Sequence, residues 1–94
     1  MTREYFLKNY MEEMVWSFMD EVLDKYPDAC KCQACRYDIA ALALNELPPH
    51  YVAREKGDIY SRLHLLENQH KADVYAALTR AVLKVKENPR HNED

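Results

Sequence analysis

Three cysteines within six positions, Cys30, Cys32 and Cys35, are the residues of this 94-residue chain whose type and spacing point most directly to chemistry. A Cys-x-Cys-x-x-Cys turn lets three sulfurs converge on one point without long loops. Zinc takes four ligands in a tetrahedron, with sulfurs at about 2.3 Å, and this turn could supply three of them. Cys35 falls near the first turn of the helix that follows, where unpaired amides and the helix dipole favour thiolate over thiol. An odd, tightly clustered set of cysteines is a poor disulfide framework and a good metal or redox cluster. Other readings of the same residues stand beside zinc. Cys32 and Cys35 could form a redox dithiol, although the strand-helix-strand context of thioredoxin-like proteins is missing. An iron–sulfur cluster would need a fourth thiolate, with a second subunit as its source. The plainest alternative is three buried, inert thiols.

Three amphipathic segments must position this turn. Over residues 4–26, Leu7, Met11, Met14, Val15, Phe18, Val22 and Leu23 recur at helical spacing, with Tyr10 and Trp16 widening the apolar surface. Pro27 ends that helix, because the residue before a proline is pushed out of helical geometry. A second helix is expected over 35–47, with Ile39, Leu42, Ala43 and Leu47 on one face. Its alanines allow close approach by neighbours, so it should be the most buried helix, and Asp38 in its first turn complements the dipole. Pro48 and Pro49 stop it. Residues 50–55 then read as extended, turning at Gly57. The last helix spans 58–88, with Asp58 as cap, Pro89 as stop and His70 within the apolar stripe. Polar residues crowd at 68–71 and mark a possible break.

With a single glycine and helical rather than alternating periodicity, the chain reads as one all-helical domain over residues 1–94. At this size a metal or a dimer interface is a useful supplement to a modest core. The net charge of −3 gives no general case for binding a nucleic-acid backbone. Charge is nevertheless uneven: residues 1–28 carry seven acidic against three basic side chains, whereas Arg80, Lys84, Lys86 and Arg90 face Glu87 alone over 80–90. No apolar run is long enough to span a bilayer and no secretory core is present, so a cytoplasmic protein is expected. Glycine-rich phosphate loops and recognisable hydrolytic constellations are missing, and an enzyme is not expected. An up-down-up path of three helices returns the C-terminal tail to the cysteine turn, which makes His91 the first candidate for a fourth metal ligand.

The run CKCQACRYDIAALALNELPPHYV over residues 30–52, followed by EKGD and later by ENPRH, resembles the late competence development protein ComFB family of bacteria. The likeness covers nearly the whole chain and is most specific over 30–57. It implies a structural zinc site at Cys30, Cys32 and Cys35 within a helical homodimer. Some relatives add a fourth cysteine from the C-terminal tail; this chain has none there, which leaves His91 as the substitute. Other relatives lack the cysteines, so the metal would stabilise the fold rather than perform its function. The family is named for a locus concerned with DNA uptake, yet direct DNA binding is not expected of this acidic chain.

The resemblance also implies a receptor for a cyclic dinucleotide, chiefly cyclic di-GMP, acting on motility, competence or cell morphology through a regulatory protein partner. Such a ligand presents two phosphates and two purine faces, which call for cationic groups and planar stacking surfaces. Tyr51, Arg54 and Lys56 cluster after the double proline, Arg80 and Lys84 lie one helical turn apart, and Arg90 is close by in sequence. In a symmetric dimer each group would appear twice, matching a two-fold ligand. The alternative is a protein-interaction adaptor that binds no nucleotide, with these basic residues as a solvated face.

Overall fold

Asn9 caps the first helix, and a proline follows the end of each of the three, although the first stops at Leu23, three residues before the expected Tyr26. The computed structural model describes residues 5–55 and 59–89, with side chains described for 7–53 and 67–89. Its elements run β1 (Tyr5–Asn9), α1 (Tyr10–Leu23), α2 (Gln33–Glu46), β2 (Tyr51–Glu55) and α3 (Ile59–Glu87). The mostly helical class with three main helices and a cysteine turn between the first two is as the sequence predicts. A two-stranded antiparallel sheet is added at one end.

That sheet corrects the expected start of the first helix. Leu7, Met11 and Met14 keep helical spacing, but Asn9 intervenes with an extended backbone (φ −88°, ψ 103°) and its side chain accepts from the Met11 amide at 3.1 Å. It is a capping asparagine, satisfying one of the orphan amides of the first turn. The same Oδ1 accepts from the His50 amide at 2.8 Å, while the Tyr10 amide donates to the His50 carbonyl at 2.9 Å. Residues on either side of Asn9 are thereby tied to the segment leaving Pro48 and Pro49. β1 pairs with β2 in a register that sets Lys8 opposite Val52 and Asn9 opposite Tyr51. Leu7, counted in the apolar stripe, is 71% exposed on this strand. The extended reading of 50–55 holds.

The core forms where the three helices meet. α1 buries Tyr10, Met11, Met14, Val15, Phe18, Met19, Val22 and Leu23, each large side chain worth about 1.5–3 kcal/mol of transfer free energy. α2 buries only Cys35, Ile39, Ala40 and Ala43 within its length, so the expectation that it is the most buried helix fails. Its small residues do allow close approach, but they line a narrow face. α3 adds Val74, Ala77, Leu78, Ala81, Val82 and Val85 and runs unbroken through 68–71. The expected cap at Asp58 lies outside the described residues.

Two ion pairs fix the direction of the helices. Lys86, near the end of α3, meets Asp28 just before the cysteine turn at 2.8 Å; Arg80 meets Glu46 at the end of α2 at 2.6 Å. α3 therefore returns to the cysteine end, as the up-down-up path predicts. Among the described residues no helix is long and apolar enough to cross a membrane.

Candidate metal centre

After Leu23 the chain descends through a series of tight turns, with Lys25, Tyr26 and Ala29 amides donating to Val22, Leu23 and Tyr26 carbonyls at 2.9–3.0 Å. They deliver Cys30 against the core, where it and Cys32 are half-buried. Cys32 takes the cap position of α2 with an extended backbone (φ −70°, ψ 166°), and the Arg36 amide donates to its carbonyl at 2.9 Å. α2 consequently starts two residues earlier than expected. Cys35 lies within its first turn, fully buried, whereas Asp38 lies beyond that turn and does not cap the helix as expected.

The three sulfurs all lie within 4.8 Å of one another, and none is in a disulfide. Zinc–sulfur distances of about 2.3 Å require tetrahedral edges of about 3.8 Å. The cluster thus needs a contraction of at most about 1 Å to grip such an ion, within the reach of small side-chain rotations. Contrary to the thiolate expected at Cys35, burial, followed by the neighbouring Cys30 and Cys32 sulfurs, pushes its thiol up to about 12. The Cys35 amide is the main influence holding the Cys32 thiol below its ordinary value, aided by Cys30, Cys35 and the Ala34 amide. Ionising three adjacent sulfurs at one core edge is unfavourable without a cation; with one, their negative charge is compensated. The donor set fits a thiophilic metal ion.

Arg36 braces this turn. Its Nε donates to the Lys31 carbonyl at 3.0 Å, between two of the cysteines, and its Nη1 donates to Asp20 Oδ1 of α1 at 2.6 Å. Lys31 also reaches Asp24 at 3.7 Å. Sequence reasoning missed Arg36, although a signal existed. A cation in the first turn of a helix opposes the macrodipole and so calls for a partner elsewhere.

The remaining candidates are dispersed. His91, Arg90 and Lys56 lie outside the described residues, as does the side chain of Arg54, whose backbone sits in β2 opposite Phe6. Tyr51 is exposed on β2, and Arg80 is engaged by Glu46. Lys84 lines an open groove of about 350 Å³ between α2 and α3, together with Asp38, Ala41, Leu42, Val85 and Asn88. Among the described residues the metal-ligating group consists of the three cysteines. His50 and His70 face each other at 5.7 Å at the sheet end, away from the sulfurs.

Comparison with known proteins gives a consistent picture. The sequence model described as late competence development protein ComFB matches residues 8–89. The competence protein ComFB of Bacillus subtilis (strain 168) is 36% identical over 75 residues, covering 76% of each chain. A solved structure of the late competence protein ComFB from Bacillus subtilis superposes with a TM-score of 0.76 at 29% identity, covering 95% of this chain and 100% of that one.

Proposed function

Because the chain belongs to the ComFB family of late competence development proteins, we propose that it is a cytoplasmic, homodimeric signalling module that binds a cyclic dinucleotide, cyclic di-GMP, and is stabilised by zinc. The cysteine cluster supports the metal: Cys30, Cys32 and Cys35 would hold zinc, with His91 as the fourth ligand. Holding an ion there, Cys30, Cys32 and Cys35 would tie the turn to the first turn of α2. The reading is non-enzymatic, since thiolate-rich zinc sites are more often structural than catalytic.

The observation that carries the ligand reading is the α2–α3 groove. An ammonium group from Lys84 and an amide from Asn88 stand at a largely apolar surface formed by Ala41, Leu42 and Val85, with the Asp38 carboxylate as the acidic member of the lining. Phosphate and purine together need that mixture of charge and apolar contact. Its volume is at the lower end of small-molecule sites, about 300–1,000 Å³. One copy would hold part of a dinucleotide and a second copy the rest; Tyr51, Arg54, Lys56, Arg80 and Arg90 are the further ligand-binding candidates, and none of them lines the groove.

Calorimetric titration of the zinc-loaded protein with cyclic di-GMP tests this, using cyclic di-AMP and a linear dinucleotide as controls. Saturable binding of one ligand per two chains is expected, weakened about tenfold or more by Lys84→Ala, the typical cost of a charged hydrogen bond. No binding by folded, dimeric protein would transfer the proposal to the adaptor. That second reading draws on the exposed Trp16 and Tyr37 rings, a surface of the kind that protein partners cover.

A further inference from the structure

We propose that Cys32 is an oxidation site for hydroperoxides and that Cys35 resolves it, forming an intramolecular Cys32–Cys35 disulfide that dismantles the metal centre. The loss of metal rests on the metal reading; formation of the disulfide does not depend on a metal being held.

The positions of the two sulfurs differ in the way this chemistry needs. Cys32 is half-buried at the cap of α2, on extended backbone. Cys35 is fully buried in the first turn below it. The sulfurs lie within 4.8 Å, and a disulfide needs about 2.05 Å, so rotation of the Cys32 side chain must close the difference. A Cys-x-x-Cys pair across the first turn of a helix suits that closure. Cys30 is separated from Cys32 by a single residue, too short a loop for an easy bond between them.

The steps balance. The Cys32 sulfur attacks the outer oxygen of the hydroperoxide, the O–O bond breaks, and the departing oxygen takes a proton to leave as alcohol or water. Cys32 is now a sulfenic acid. The Cys35 sulfur attacks the Cys32 sulfur, the S–O bond breaks, and hydroxide leaves as water after protonation. Two electrons pass from the thiol pair to the peroxide. A bound cation would lose two of its three cysteine ligands in this step and keep Cys30 alone, so oxidation would release it.

The experiment exposes reduced full-length protein, one portion zinc-loaded and one chelator-treated, to hydrogen peroxide. Intact mass, mapped disulfides and released zinc are followed together. A loss of about 2 Da, a Cys32–Cys35 linkage, parallel zinc release and reversal by a thiol reductant are expected. Cys35→Ser should accumulate a sulfenic acid at Cys32 that a dione probe captures, while Cys30→Ser should still form the disulfide, each variant first shown to be helical. A Cys30–Cys35 linkage, an intermolecular disulfide, irreversible over-oxidation without a disulfide, or reaction no faster than glutathione would overturn the proposal. Disulfide formation in protein that never retains zinc would remove the metal reading and leave this one standing; zinc retention without the disulfide would do the reverse.

Discussion

Arg36 shows how much of a candidate metal centre lies outside the residues that could ligate the ion. Its guanidinium joins the Lys31 carbonyl, inside the cysteine turn, to Asp20 on α1, so the backbone carrying Cys30 and Cys32 is braced from a separate helix. Arg36→Ala should weaken zinc binding about 10- to 100-fold, the usual cost of losing an outer-shell partner, with little loss of helicity. Competition against a chromophoric chelator measures it, and Arg36→Lys, which keeps the charge but not the fork, should restore only part. The sulfurs themselves predict opposite pH responses for loaded and metal-free protein. Metal binding displaces protons from thiols, so the loaded protein should lose zinc and melt lower as pH falls. In the metal-free chain the dominant shift is at Cys35, raised to about 12 by burial. A thiol raised above its unfolded value stabilises the fold below the ordinary thiol range and loses that contribution as pH climbs toward the folded value. Melting temperature without metal should therefore fall above about pH 9, although the depressed Cys32 opposes part of the trend. Thermal scans across pH with and without chelator read both slopes. The three cysteines were legible because their spacing needs no tertiary knowledge. Arg36 was not, because its Asp20 partner is sixteen residues away on another helix.

At the scale of elements, the junction at Asn9 decides where strand becomes helix. One side-chain oxygen serves two amides, Met11 of α1 and His50 of the β2 approach, so the cap is also a tertiary tie. Asn9→Ala should lower unfolding free energy by about 1–2 kcal/mol, combining a lost cap with an unsatisfied His50 amide. Asn9→Asp, which keeps the acceptor and suits the dipole, should cost far less. Denaturant unfolding of the metal-loaded protein separates the two, and equal losses would show that the oxygen is not the reason. The later helices were readable because a proline follows the end of each and their apolar residues recur at helical spacing. β1 was hidden because Leu7, Met11 and Met14 carry helical spacing straight across the boundary. The sequence does hold a marker there: Asn9 followed by Glu12 three residues later is the start signature of a capped helix. Burial of α2 was overestimated for a related reason, since alanines indicate closeness of packing rather than breadth of the buried face.

For the whole molecule, the unanswered demand is made by large apolar side chains left on the surface. Trp16 on α1 is 40% exposed and Tyr37 on α2 is 57% exposed, with ring centroids 5.1 Å apart in an edge-to-face pair. Both rings belong to the helices that flank the cysteine turn, so this face can answer to the state of the metal centre. Aromatic rings with few rotatable bonds are favourable interface anchors, because little entropy is lost when they are covered. The proposed homodimer therefore has a testable face. Trp16 is the only tryptophan in the chain, so its fluorescence reports that face without labelling. Emission should shift to the blue as concentration rises through the dimer constant, in parallel with mass from sedimentation equilibrium. Tyr37→Glu, which places a charge beside Trp16 without opening the core, should hold the protein at monomer mass and fix the emission at its red limit. Removing zinc should shift the association constant only if the cysteine turn sets the relative position of α1 and α2 at this face. A dimer whose tryptophan emission is indifferent to concentration, and which survives Tyr37→Glu, would place its interface elsewhere and leave this aromatic pair for a different protein partner.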